Sequence, residues 1–564
     1  MNTYLYSKEK TTQMDVYYRV DGMKNIPYVK LRDYYANLLS KELQVSETSS
    51  GVFLFTSAAG GTATIDTKEN TLKSPDIEKF INTTIYRQEG APNVYYDGSH
   101  FVRVNSATAN KEATETVIAF GANYDINLFA LQGDVLLPLD TCSNLFQGPT
   151  MLTCTYTTHD IFFVDPNSPF DTMKAIQDED YVRYRDGFYE NGKRSQEQAD
   201  FAYNELRFFL DHYYGQPGRE TLHADLLRYG NIDAALANHD EFTKKARTLL
   251  RSTDRAEYYV GLTILQDYLA DTGHTVLNMG VGLALLKDQK LLNDFMAVMG
   301  EVGFEEGQAA ATREGATAAY ITPLEATAKS VGVNDLGTLV QGDTAMFTFN
   351  EFRYDVQGWD DYYSGKRAEL PEDAIGNFKR LLEKYKDGNT VKNVVVNLSD
   401  NGGGSGDVVF TFMALMGKQP YLNYYDFLNK NIVHVIYDVD ANFDGKFDQA
   451  DKELNYPYNF AILASGVSFS CGNILPTVAK ESGIMLLGDQ TGGGACAVLD
   501  AFSAEGLYTR SASQVRLQAQ DGSAIDFGVA PHEKLVTKTD AGYDFSKMYD
   551  LSIIGQKIHE FYAK

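Results

Sequence analysis

Three rhythms of apolar residues run along this chain. Up to about residue 165, short apolar runs alternate with turns, as in "GVFLFTSAAGGTATI", "HFVRVN" and "TVIAFGANYDINLFALQGDVLLPL". A period of two, punctuated by Gly, Asn and Asp, predicts a β-rich region. "IPYVKLRDYYANLL" reads as one of its few helices. From about 175 to 275 the apolar spacing becomes three and four. "SQEQADFAYNELRFFLDHYYG" and "DRAEYYVGLTILQDYLADTG" are therefore expected to be helices, with Gly215 and Gly273 where they should stop. Helical and small-residue stretches such as "DQKLLNDFMAVMGEVG" continue through 276–340.

From about 341 onward, short buried strands alternate with helices. "DTAMFTFNEF", "VKNVVVNL", "PYNFAILAS" and "GIMLLGD" read as strands. "EDAIGNFKRLLEKYKDG", "DVVFTFMALMG" and "GNILPTVAKESG" read as helices. In the first of these, Ile375, Phe378, Leu381, Leu382 and Tyr385 share one side. Apolar strands alternating with helices imply an α/β unit with a largely parallel sheet. The expected organisation is a multidomain α+β protein: a β-rich domain over 1–165, a helical domain over 166–340 and an α/β domain over 341–564.

Composition narrows the function classes. With 564 residues, 44% hydrophobic and 22% charged, the chain is that of an ordinary globular protein of several domains. A formal net charge of −26 repels phosphate backbones, so nucleic acid is not an expected partner. No run reaches the roughly 18 apolar residues that span a bilayer. The start, "MNTYLYSKEKTTQ", lacks the apolar core of a signal peptide. The expectation is either a cytoplasmic protein or, preferred here, an extracytoplasmic one whose leader has been removed. Cys142 and Cys154 lie twelve apart in a β region and could pair. Cys471 and Cys496 flank glycine-rich turns, with buried free thiols as the default.

The chemistry concentrates in "ILASGVSFSCGN", residues 462–473. Here a buried strand turns directly into a helix, and an elbow of this kind needs small residues two before and two after the nucleophile. Ser470 satisfies this with Ser468 and Gly472, and Ser468 with Gly466 and Ser470. Cys471 fails, because Phe469 is bulky. Ser470 is preferred, since it falls at the helix start, where N–H groups and the dipole stabilise an oxyanion. The plain alternative is an N-cap serine. A second element, "VVVNLSDNGGGSGD" at 394–407, runs a strand into three glycines whose N–H groups suit an anion or oxyanion.

Taken in order, the glycine turn, the serine elbow, "LLGDQTGGG" and "IDFGVAPHEKL" resemble the tail-specific, or C-terminal processing, serine peptidase family. The resemblance covers roughly 255–274 and 341–540. It implies a ClpP/crotonase-like catalytic fold, a Ser470 nucleophile and peptide or protein substrates. The implied oxyanion donors are the N–H of Cys471 and that of Gly402 or Gly403. Many members use a Ser-Lys dyad with the lysine after "LLGDQTGG". Here that turn reads Thr491-Gly-Gly-Gly-Ala495-Cys496, and no lysine occurs between Lys480 and Lys534. His274, in "LQDYLADTGHTVLN", is similar instead to the histidine base of the tricorn-protease branch. In that branch a serine precedes the histidine; here it is Gly273. Asp526 is the implied acid, with Glu533 behind it, and the plain alternative for His274 is a helix C-terminal cap. Residues 276–340 show no peptide-carboxylate loop, so no complete PDZ domain is expected. The rival functions are a catalytically inactive binding protein on this scaffold and an esterase.

One motif stands apart. "DANFDGKFDQAD", residues 440–451, has the EF-hand-type spacing in which oxygen ligands surround Ca²⁺ and Gly permits the sharp turn. The expected ligands are the side chains of Asp440, Asn442 and Asp444, the carbonyl of Lys446, and Asp448 and Asp451. A solvated acidic turn is the alternative.

Overall fold

The computed structural model describes residues 1–5, 10–21, 24–81, 99–111, 115–150, 152–156, 159–164, 188–189, 191–215, 220–271, 273–304, 306–387, 390–428, 430–540 and 542–564. The architecture is α+β with several sheets. The sheet that positions the site has six strands in the order Thr338–Gln341, Thr344–Thr348, Asn393–Asn397, Asn459–Ala464, Met485–Gly488 and Glu533–Lys534. The first pair is an antiparallel hairpin, and every later pair is parallel.

The continuous apolar runs follow from burial on both faces of this sheet. Phe347, Val394, Val396 and Ile462 share a core with Phe378, Phe412 and Leu475, which belong to the helices Ala374–Tyr385, Gly406–Leu415 and Cys471–Glu481. Met346, Val395, Ala461 and Leu487 face the opposite layer, built by Ile554 and Ile558 of the C-terminal helix Leu551–Tyr562 and by Leu324. The rings of Phe378 and Phe412 stack at 4.4 Å. Truncating either to Ala should cost about 3–5 kcal/mol, as for other buried aromatics.

A second sheet, wholly antiparallel, joins distant parts of the chain. Its order is Cys496–Phe502, Tyr508–Gln518, Tyr421–Asp426, Asn431–Val439 and Val102–Lys111. Val102–Lys111 comes from the region read as an N-terminal β-rich domain. Nearer the N-terminus, Gln44–Ser49, Val52–Thr56, Thr62–Asp66, Thr71–Ser74 and Thr116–Ala119 make an antiparallel sheet, and Leu31–Leu39 is helical. Cys142 and Cys154, offered by their spacing as a disulfide, are buried free thiols.

The two long helices of the middle region form where periodicity placed them. Gln196–Tyr213 starts at a capping box between Ser195 and Gln198. Arg255–Leu269 starts at Asp254, whose side chain accepts from the N–H groups of Ala256 and Glu257. Its end differs from expectation. Ala270, at φ 51°, is the left-handed cap, so Gly273 does not stop this helix. Met279–Lys287, Gln289–Val302 and Glu306–Ser330 continue the helical region. Among the described residues no helix is long and apolar enough to cross a membrane.

Candidate active site

The strand Asn459–Ala464 runs through a short turn into the helix Cys471–Glu481. Ser470 stands at the junction with φ 55° and ψ −120°. A non-glycine residue there is strained and persists only where its surroundings hold it. Three backbone hydrogen bonds do so. The Ser470 N–H donates to Gly493 O at 2.9 Å, and its carbonyl accepts from the N–H groups of Asn473 at 2.8 Å and Ile474 at 2.9 Å. The hydroxyl, half-buried, makes no capping bond.

The neighbouring candidates are accounted for by their contacts. Ser468 is fully buried; its hydroxyl donates to Leu398 O at 2.6 Å and accepts from the Ser465 N–H at 2.9 Å. It is a structural clasp inside the turn. Cys471 is buried with its sulfur 3.0 Å from Gly404 O, and burial pushes its thiol up to about 12. Burial thus disfavours the thiolate that attack would need. The small residue required after the serine also has its reason: a Cβ on Gly472 would lie 2.5 Å from Asn401 O.

The glycine turn packs directly on this elbow. A Cβ on Gly403, at φ 108°, would lie 2.6 Å from the Ser470 Cβ and 3.1 Å from the Cys471 N. Only glycine tolerates both that dihedral and that approach. The two glycine donors differ, however. The Gly403 N–H is engaged, donating to Asn401 Oδ1 at 2.9 Å, while the Asn401 side-chain amide donates to Phe349 O. The exposed Gly402 N–H and the Cys471 N–H have no hydrogen-bond partner among the described residues.

His274 is reached through Phe469. The imidazole, 7% exposed, meets the Phe469 ring edge to face at 4.9 Å between centroids. No hydrogen bond joins His274 to Ser470 in this structure. Burial lowers the imidazole pKa, the Asp271 carboxylate opposes that by raising it, and Arg510 lowers it further. The same phenyl ring explains the departure at position 273. A Cβ on Gly273 would lie 1.9 Å from it, and one on Gly494 would lie 2.5 Å from it. Phe469 therefore fills the space that a serine before the histidine, or any side chain at Gly494, would need.

The acids fall in different places. Asp526 accepts from the Ala495 N–H at 2.9 Å and pairs with Arg516 at 3.3 Å, bracing the 491–496 turn from behind. Glu533 lies in the edge strand of the sheet and pairs with Lys557 at 3.1 Å. The carboxylate acting on His274 is Asp271, which the sequence reading missed. Its Oδ1 accepts from the N–H groups of Gly273 at 3.3 Å and His274 at 3.4 Å, and its other oxygen accepts the Thr275 hydroxyl. An Asp three residues before a candidate base, just past a helix end, was the available signal.

Loop 440–451 is closed by its own hydrogen bonds. Asp440, fully buried, accepts from the N–H groups of Asp444 and Gly445 and from the Tyr363 hydroxyl at 2.9 Å. Asn442 Oδ1 also accepts from Asp444 N–H, and Asp444 Oδ1 accepts from Lys446 N–H. Asp448 and Asp451 form a capping box on the helix Gln449–Glu453. Among the described residues no group of three or more His, Cys, Asp or Glu side chains is disposed to hold a metal ion.

Residues 360–535 match the family model "Peptidase family S41". That segment contains the glycine turn, the 440–451 loop, Ser470 and Asp526, and excludes His274. No curated protein matches the chain. Among solved structures, a candidate peptidase from Parabacteroides merdae is 16% identical over 42% of this chain and 68% of its own, with a TM-score of 0.30. A photosystem II D1 C-terminal processing protease is 16% identical over 34% of this chain and 42% of its own, at 0.25. A lipoprotein from Streptococcus agalactiae is 10% identical over 66% of this chain and 98% of its own, at 0.34.

Proposed function

We propose that this chain is a serine peptidase in which Ser470 attacks the peptide carbonyl carbon. The observation that carries the reading is the strained Ser470 at a helix start, with the glycine turn packed on it. The Ser470 hydroxyl proton passes to His274 as the Oγ–C bond forms, and the imidazolium gives it to the amine as the C–N bond breaks; water, deprotonated by the same imidazole, then displaces Oγ from the acyl group and the proton returns to Ser470. The N–H groups of Cys471 and Gly402 hold the oxyanion, Gly403 being the donor already engaged by Asn401. Asp271, rather than Asp526, orients the His274 loop and favours its charged form. The imidazole must come within hydrogen-bond reach of Oγ, a contact that often tightens only in the substrate complex. Labelling by a fluorophosphonate, followed by peptide against ester turnover, tests the reading. Absence of labelling would leave an inactive binding protein, which the missing His274–Ser470 hydrogen bond favours. Turnover of esters alone would leave an esterase.

Two subsidiary proposals accompany it. Ca²⁺ at 440–451 rests on the sequence spacing of the loop. An extracytoplasmic setting rests on the acidic composition and that same loop type.

A further inference from the structure

The segments that frame the site continue into the walls of a cavity of about 570 Å³. That size falls within the roughly 300–1,000 Å³ of ligand sites. Ala270, Asp267, Tyr268 and Ile264 contribute from the helix that leads to His274. Phe527 contributes from the other side, directly after Asp526, whose carbonyl approaches Gly493 so closely that a Cβ there would lie 1.8 Å away. Gly493 in turn accepts the Ser470 N–H. Along the chain, Phe527 in the cavity wall thus directly follows the residue that packs against the Gly493 turn.

Its lining is aromatic and acidic. Phe527 and Phe242 are 53% and 37% exposed, large apolar areas for a surface. Phe242 and Phe304 pack edge to face at 5.4 Å, and Tyr268 lies 4.9 Å from His239. Asp240 and Asp267 line the same walls, and Asp240 also caps the helix Glu241–Leu249 through the Thr243 N–H at 2.7 Å. Among the described lining residues only His239 can carry positive charge, and Asp225 already engages its Nδ1 at 2.8 Å, with Asp240 at 3.9 Å from Nε2. Lys245 lies over the Phe242 ring at 5.6 Å while donating to Val302 O, so an incoming cation meets Phe527 and Tyr268 instead.

We infer that this cavity is a specificity pocket for a basic side chain of the substrate, an arginine or lysine near the cleaved bond. The aliphatic stem would pack on Ile264 and the aromatic rings. The head would meet Asp240 and Asp267, with cation–π attraction from Phe527 or Tyr268. Net charge of −26 steers the same class of ligand toward the molecule. The inference deepens the peptidase reading and rests on it for the word substrate, but the pocket can be read without turnover.

The test uses a dansylated pentapeptide with a central arginine and its citrulline counterpart, which differ in charge but hardly in shape. Binding to the full chain carrying Ser470→Ala is followed by anisotropy, and cleavage by the wild type is followed in parallel. The arginine peptide should bind at least tenfold more tightly than the citrulline peptide. The double substitution Asp240→Asn, Asp267→Asn should erase that difference and leave citrulline binding unchanged. Asn caps a helix as well as Asp, so the start of Glu241–Leu249 is preserved. Equal binding of the two peptides, or equal weakening of both by the double variant, overturns the pocket. If arginine preference holds in binding while fluorophosphonate labelling fails, the pocket stands and the peptidase reading falls. If labelling succeeds without charge preference, the reverse follows.

Discussion

The two halves of the candidate site are held in different ways. Around Ser470, every neighbouring backbone is fixed. Gly493 O takes its N–H, Asn401 O lies over Gly472, and Gly403 packs on its Cβ. Around His274, the ring contact with Phe469 and the N–H bond to the Asp271 carboxylate are joined by ties to distant segments: Thr275 to Gln266 and Ala512, and Val276 to Arg510. The first half is built on loops that follow the parallel strands of one sheet; the second comes from the helical region and a loop past Ala270. The first half is therefore what the sequence spells out locally, whereas the second rests on contacts between segments far apart in the chain.

The largest effect that would sharpen this contrast is at the nucleophile. Ser470→Ala should abolish fluorophosphonate labelling and hydrolysis with the melting temperature nearly unchanged. Ser468→Ala should do the opposite. Activity persists, but stability falls by about 1–3 kcal/mol because the Leu398 carbonyl and Ser465 N–H lose a buried partner. Full turnover by Ser470→Ala would break the assignment.

On the base side, His274→Ala should lower kcat by several powers of ten, as removal of a triad member does. Rates at the wild-type level would place the base elsewhere. Next comes the ring between the halves. Gly273→Ser should lower activity by displacing Phe469, since its Cβ falls 1.9 Å from that ring. Adding Phe469→Ala should recover part of the loss. Additive losses in the pair would mean that the ring does not couple the two sides.

A smaller effect concerns pH. The neutral imidazole is the active base, so activity falls as pH drops through the His274 pKa, which burial lowers and Asp271 raises. Removing the negative charge removes the raising influence. Asp271→Asn should therefore move the acid limb of kcat/KM to lower pH, and an unmoved limb would show that Asp271 only shapes the loop. The smallest effect is at 440–451. Calcium should raise the wild-type melting temperature, and Asp440→Ala should remove most of the gain. Indifference to both calcium and chelator would leave the loop as an acidic turn closed by its own hydrogen bonds.

Legibility follows the same division. The strands and helices from Thr344 to Gly488 could be read because burial on both faces writes unbroken apolar runs, and the elbow because its small residues are demanded by local clashes. Gly273 was misread as a helix stop. Its reason is the Phe469 ring, almost two hundred positions away, and no local pattern carries that. The choice between Gly402 and Gly403 likewise turned on Asn401, whose side chain takes one N–H and leaves the other. Asp271 was within sight in "DTGHT", yet its role depends on a loop folding back on itself.

The pairing of Val102–Lys111 with Asn431–Val439, Val102 opposite Val439, has a consequence for how the chain is made. Closing so long a loop adds little to the equilibrium cost, about 0.6 kcal/mol for each doubling of its length, but it delays the pairing. At synthesis rates of roughly 5–20 residues per second, the early strand waits on the order of tens of seconds before its partner leaves the ribosome. Until then it is an unpaired edge, open to wrong partners. Expression yield should accordingly respond to mutations in Val102–Lys111 more than its small share of the core suggests, with slower translation through the middle region making the losses worse.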